Sequence, residues 1–180
     1  MSSEIMSLEM DVFCLLLLIR ILYQMYINRE QNDHWNYFYY TIAWACVYLF
    51  MDAIWIMNVK HFLTFSKIQS GIFNSFYFCS LAMLVCSWYV YVQKTLHSAV
   101  LKHKKILVLT FIPLIFFIGS SLLSYWTHGL FVIDQAGNYH RGKLLPFYFL
   151  ILFAYILYLS IKAGYLSKKA KNYLYQKEYK

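Results

Sequence analysis

The chain has 180 residues, of which 61% are hydrophobic, 21% aromatic and only 13% charged, a balance too apolar for an ordinary soluble domain of this size. It is read as an all-α integral membrane protein, a single helical transmembrane bundle without a soluble catalytic domain. The net charge of +8 does not indicate nucleic acid as a partner, because Lys and Arg cluster between the apolar stretches and at the C-terminal end, as bilayer orientation requires.

Met1–Met10 is a short polar start carrying Glu4 and Glu9. It lacks the basic n-region and small-residue cleavage site of a signal peptide, so the apolar stretch after it is expected to be retained. A span needs about 20 mostly apolar residues, and five are expected, at about 11–27, 37–57, 70–92, 106–125 and 146–165. Span 3 carries Gly71, Ser75 and Cys79 at steps of four, followed by Ala82 and Cys86. Small residues at that spacing let helix backbones approach closely, which marks it as the central helix. Span 4 holds Pro113 and the small run Gly119-Ser120-Ser121, and span 5 opens with Pro146, suited to a first helical turn.

The connection before the last span, residues 128–145, is the longest soluble-looking segment between two apolar ones. Leu130–Asp134 and Tyr139–Lys143 look extended, and the Gln-Ala-Gly-Asn between them is turn chemistry because Gly137 and Asn138 tolerate positive φ. A small hairpin or lid over one mouth of the bundle is expected. With the N-terminus outside, the inner segments hold ten Lys and Arg residues and the outer ones only Lys60, Lys67, Arg141 and Lys143. That asymmetry predicts N-out, C-in, with the hairpin outside and a basic cytoplasmic tail over 168–180 behind a sensory bundle over 1–167.

Ionisable groups inside spans are costly and therefore informative. Arg20 lies nine residues below Asp11, roughly 13 Å down, and Asp52 lies six residues below Asn58, roughly 9 Å down. Their depths allow a pair, which would serve either as a pin between two helices or as part of a ligand site. Trp55, Trp126, Asp134, Tyr139 and Arg141 are placed near the same mouth, where an aromatic pocket with one acid and one base suits a small amphipathic ligand. Aromatic belts at the headgroup level account for the same residues without a ligand.

The four cysteines, Cys14, Cys46, Cys79 and Cys86, form no CxxC pair, and all six histidines lie in connections. No metal or other cofactor is indicated, and no HExxH, GxSxG or Gly-rich phosphate loop points to an enzyme.

The chain resembles the N-terminal multi-span sensory regions found ahead of GGDEF diguanylate cyclase domains and of some histidine kinases in Gram-positive bacteria. The resemblance rests on Phe-Met-Asp-Ala-Ile-Trp at residues 50–55 and on a Lys-rich connection before a Pro-containing span. It rests above all on Phe131-Val-Ile-Asp134-Gln-Ala-Gly137-Asn-Tyr139-His-Arg141-Gly142. It implies a receiver of an external or membrane-borne cue in a bacterial plasma membrane. No GGD/EEF motif or kinase histidine box is present, so it implies no cyclase activity here, and an output domain would have to lie downstream. Membrane lipids, a small ligand at the outer face, and a homodimer or cytoplasmic signalling partner are the expected contacts. The competing classes are a small transporter or permease subunit and a structural partner of another membrane protein.

Overall fold

The computed structural model describes residues 3–27, 33–59, 62–63, 65–95, 104–135 and 139–178. Five helices and one hairpin follow in order: α1 (Ser3–Ile27), α2 (Asp33–Val59), α3 (Lys67–Thr95), α4 (Lys104–Thr127), β1 (Phe131–Ile133), β2 (Tyr139–Arg141) and α5 (Leu145–Glu178). Among the described residues, four stretches are long and apolar enough to cross a membrane, namely Leu8–Ile27, Asn36–Asn58, Lys67–Thr95 and Leu145–Lys162. The apolar part of α4, Phe111–Thr127, is a shorter one. The chain is a multi-pass helical membrane protein.

The helices start earlier or run longer than apolar length alone predicts, for local reasons. α1 includes most of the polar start, so Glu9 and Asp11 stand on helix. α3 begins at Lys67 because Ser66 and Gln69 form a capping box: the Ser66 amide donates to the Gln69 side chain (2.9 Å), and the Gln69 amide donates to Ser66 Oγ (3.4 Å). α5 has Pro146 as its second residue, where a missing N–H costs nothing, and continues through the basic stretch to Glu178. The Lys-rich connection over 96–103, the hairpin turn at 136–138, and His34, His61, His97 and His103 lie outside the residues or side chains described.

α3 is the hub, as its small residues predict. Among its buried positions, Gly71, Asn74, Phe78, Ala82, Val85, Tyr89 and Val92 recur at steps of three and four, and it packs against α2, α4, α5 and β1. In lipid, such packing rests on close approach and hydrogen bonds more than on apolar burial. Gly71 shows the closeness: a Cβ there would enter the Tyr125 ring of α4. Gly119 differs, since nothing lies within 4 Å of its would-be Cβ and the buried small residues of α4 are Ser121 and Ser124. α1 packs on α2 at the edge of the bundle and keeps an apolar surface exposed.

Two apolar clusters fill the interior. The larger joins Phe78 and Val85 of α3, Leu114 and Phe117 of α4, Leu130, Phe131 and Ile133 of the hairpin arm, and Leu145, Tyr148 and Leu152 of α5. The smaller, Tyr89, Val92 and Leu159, lies toward the opposite end. There the fully buried Gln93 accepts a hydrogen bond from Lys162 Nζ (2.6 Å), tying α3 to α5 where the last span approaches its basic stretch.

Candidate functional site

The hairpin is seated on the end of α4 by backbone geometry. His128 follows the helix with φ of 55°, a left-handed cap that lets its N–H donate to the Ser124 carbonyl (2.8 Å). The Ser124 hydroxyl, fully buried, accepts the amides of Leu130 (2.8 Å) and Phe131 (3.1 Å), so one side chain satisfies two donors that have left the helix. β1 and β2 pair antiparallel with Phe131 opposite Arg141, Val132 opposite His140 and Ile133 opposite Tyr139. Past β2, the Gly142 amide donates to the Leu130 carbonyl (2.8 Å) and the Leu144 amide to the Gly129 carbonyl (2.9 Å). A Cβ at Gly142 would collide with those carbonyl groups, so only glycine permits this backbone-on-backbone approach.

Alternation along the strands then sorts the side chains. Phe131 and Ile133 point into the core. Phe131 stacks on Phe78 (6.0 Å between centroids), and Tyr139 meets Trp55 of α2 edge to face (5.8 Å). Trp55 in turn stacks on Tyr77 of α3 (6.4 Å), whose hydroxyl shares a hydrogen bond with Tyr48 (3.3 Å). The Tyr148 hydroxyl donates to the Phe78 carbonyl, fastening α5 to α3 at the same level.

Below β2 these contacts leave a cleft of about 450 Å³, within the usual size of small-molecule sites, roughly 300–1,000 Å³. α2 lines it with Trp55, α3 with Tyr77 and Phe78, and α5 with Leu145, Pro146 and Phe149. The hairpin adds Tyr139 and Arg141, and Gly142 follows them. Burial pushes the Tyr139 phenol up from its ordinary pKa, and the nearby Arg141 guanidinium offsets part of that. The phenol is therefore neutral at physiological pH and able to donate a hydrogen bond.

Compared with known proteins, the chain matches no family model, no curated protein and no solved structure. The site therefore stands on its own geometry.

Of the residues singled out from sequence, Trp55, Tyr139 and Arg141 come together in the cleft wall. Asp52 lies just behind it, beside the Tyr77 hydroxyl and the Asp11 carboxyl. Arg20 is not its partner. Arg20 is exposed, and nine residues from Asp11 are about two and a half turns, which puts it on the opposite face of α1. Because α1 starts well before Asp11, it is Asp11 that stands level with Asp52, and its Oδ2 is buried without a hydrogen-bond partner. Trp126 is 71% exposed and meets Tyr125 outside the cleft. Asp134 stays on the hairpin, 3.4 Å from His140 Nε2, and does not line the cavity.

Sequence reasoning missed Tyr77, Phe78 and Ser124. Tyr77 flanks the small-residue face of α3 and looks like one more belt aromatic. Ser124 had a readable signal, since Phe117, Ser121 and Ser124 fall at steps of four and three on one face of α4. Among the described residues no group of three or more His, Cys, Asp or Glu side chains could hold a metal ion. The four cysteines are free and partly buried.

Proposed function

We propose that this chain is a membrane-embedded sensory module. A small ligand occupies the cleft beneath the hairpin, and α5 carries its effect to the other side of the membrane. The observation that supports this best is the composition of the cleft wall: one cavity is shared by α2, α3, α5 and the hairpin. A ligand there touches the first turns of α5, the same helix that continues through the basic stretch to Glu178. A ligand that fits one arrangement of these walls better than another shifts the population between them.

The orientation proposed is five spans, N-out and C-in, on the Lys and Arg asymmetry of the connections. The resemblance of Phe131–Asp134 and Tyr139–Gly142 to the external loop of GGDEF-associated sensory regions supports the same assignment. A transporter would need a path through the bundle; beside the cleft Phe78 packs edge to face on Tyr148, whose hydroxyl donates to the Phe78 carbonyl.

Spin labels test the relay. In a variant with the four native cysteines replaced by serine, labels at Tyr40 and Tyr165 report the distance between α2 and α5 at the end away from the hairpin. Adding lipid extract from the source membrane to the protein in nanodiscs should shift that distance, and Trp55→Ala should abolish the shift. An unchanged distance with a ligand demonstrably bound would refute the relay.

A further inference from the structure

The cleft lies over α3, with lining from both α2 and α5. α2 and α5 each pack on α3 but make no substantial backbone approach to one another. The floor between them is Tyr77 and Phe78, and the mouth on the α5 side is formed by Pro146 and by Phe149, which is 46% exposed. Trp55 is three residues from the end of its apolar stretch at Asn58, and Phe149 is four residues into the one that starts at Leu145. At the rise of a helix both rings sit roughly 5 Å below the ends of the spans. That is the depth at which a lipid's polar group joins its hydrocarbon.

The chemistry of the wall is divided in the same direction. At the hairpin end stand Arg141, the one charged side chain of the lining, and the neutral phenol of Tyr139. Among the described residues no carboxylate lies within ion-pair distance of Arg141, and His140 Nε2 lies 3.4 Å from Asp134 Oδ2. Farther into the membrane the lining is Phe78 and Phe149. The two carboxyls nearby, Asp11 and Asp52, lie behind Tyr77 and do not line the cavity. A guanidinium beside a phenolic donor recognises an acid oxyanion, and the apolar floor accepts an acyl chain.

We propose that the cleft is a lateral-access site for an anionic amphiphile: Arg141 and Tyr139 hold its phosphate or carboxylate, and its hydrocarbon leaves between α2 and α5 along Phe149. The inference deepens the sensory reading by naming the ligand class, and it rests on that reading only for the use made of the bound ligand.

Native mass spectrometry of the full chain released from mixed micelles tests it. The probes are phosphatidylglycerol, phosphatidylcholine, oleic acid and a cationic alkylamine, each at the same mole fraction. Retention of phosphatidylglycerol or oleic acid over phosphatidylcholine is expected, and which of the two is held tells a bilayer phospholipid from a free fatty acid. Arg141→Gln should lower that retention about tenfold, the worth of one charge-assisted contact, and Arg141→Lys should restore part of it. Lys143→Gln, exposed and outside the lining, should change nothing. A monodisperse Arg141→Gln protein that still retains the acid amphiphile would overturn the proposal. So would equal retention of phosphatidylcholine, or preference for the alkylamine. Acid-lipid retention without movement between Tyr40 and Tyr165 would leave the site standing and remove the relay.

Discussion

Ser124→Ala tests how the hairpin is held. The hydroxyl accepts two amides, those of Leu130 and Phe131, and both residues are fully buried. Removing the acceptor leaves two N–H groups with no water to turn to. At about 1–3 kcal/mol for each unsatisfied buried donor, the loss is about 3 kcal/mol, roughly a 150-fold shift in the folding equilibrium. Reversible unfolding in mixed micelles measures the loss, and hydrogen exchange at residues 130 and 131 locates it. Ser121→Ala is the internal control, because that hydroxyl donates back to the Phe117 carbonyl of its own helix (2.7 Å), a bond whose loss costs little. A Ser124→Ala cost no greater than that of Ser121→Ala, or two amides as protected as in the parent protein, would refute this role of Ser124.

Three further substitutions probe the same architecture. Gly142→Ala should unseat the hairpin, since the new Cβ meets the backbone of Gly129 and Leu130; a change in Trp55 fluorescence and faster proteolysis between β1 and β2 are the expected signs. His128→Gly should stabilise by about 0.5–1 kcal/mol by removing a left-handed non-glycine residue, read as a raised unfolding midpoint. Asp52→Asn should stabilise by about 1 kcal/mol, because an amide can donate to the unpartnered Asp11 oxygen and removes a like-charge contact. A clear loss of stability in Asp52→Asn would show that the carboxylate itself is needed there.

The spans and the hairpin were legible because each follows from a local rule. Uninterrupted apolar length marks the helices, small residues at steps of four mark α3 as the hub, and the two extended runs before the last apolar stretch mark the paired strands. Trp55, Tyr139 and Arg141 were legible as a group because the end of α2 and the segment before α5 fall at the same end of an up-and-down bundle. Arg20 does not meet Asp52 because the helix does not begin at Asp11, so Asp11 is not its outer end. α1 begins at Ser3, and the helical period turns Arg20 to the other face. Trp126 failed for a similar reason: it sits two residues past Ser124, about 200° around the helix from the buried face. The role of Ser124 was hidden because its partners are backbone amides six and seven residues ahead, a relation that no side-chain pattern encodes.

Photo-crosslinking in the native membrane tests the central claim most directly. Benzoylphenylalanine placed at Phe149, in the cleft mouth, is compared with the same residue at Phe116, exposed on α4 and outside the lining. A discrete acid-bearing adduct at residue 149 that is absent at residue 116 and lost in Arg141→Gln is the predicted result. The same mixture of bulk lipids at both positions, unchanged by Arg141→Gln, would contradict a ligand site beneath the hairpin.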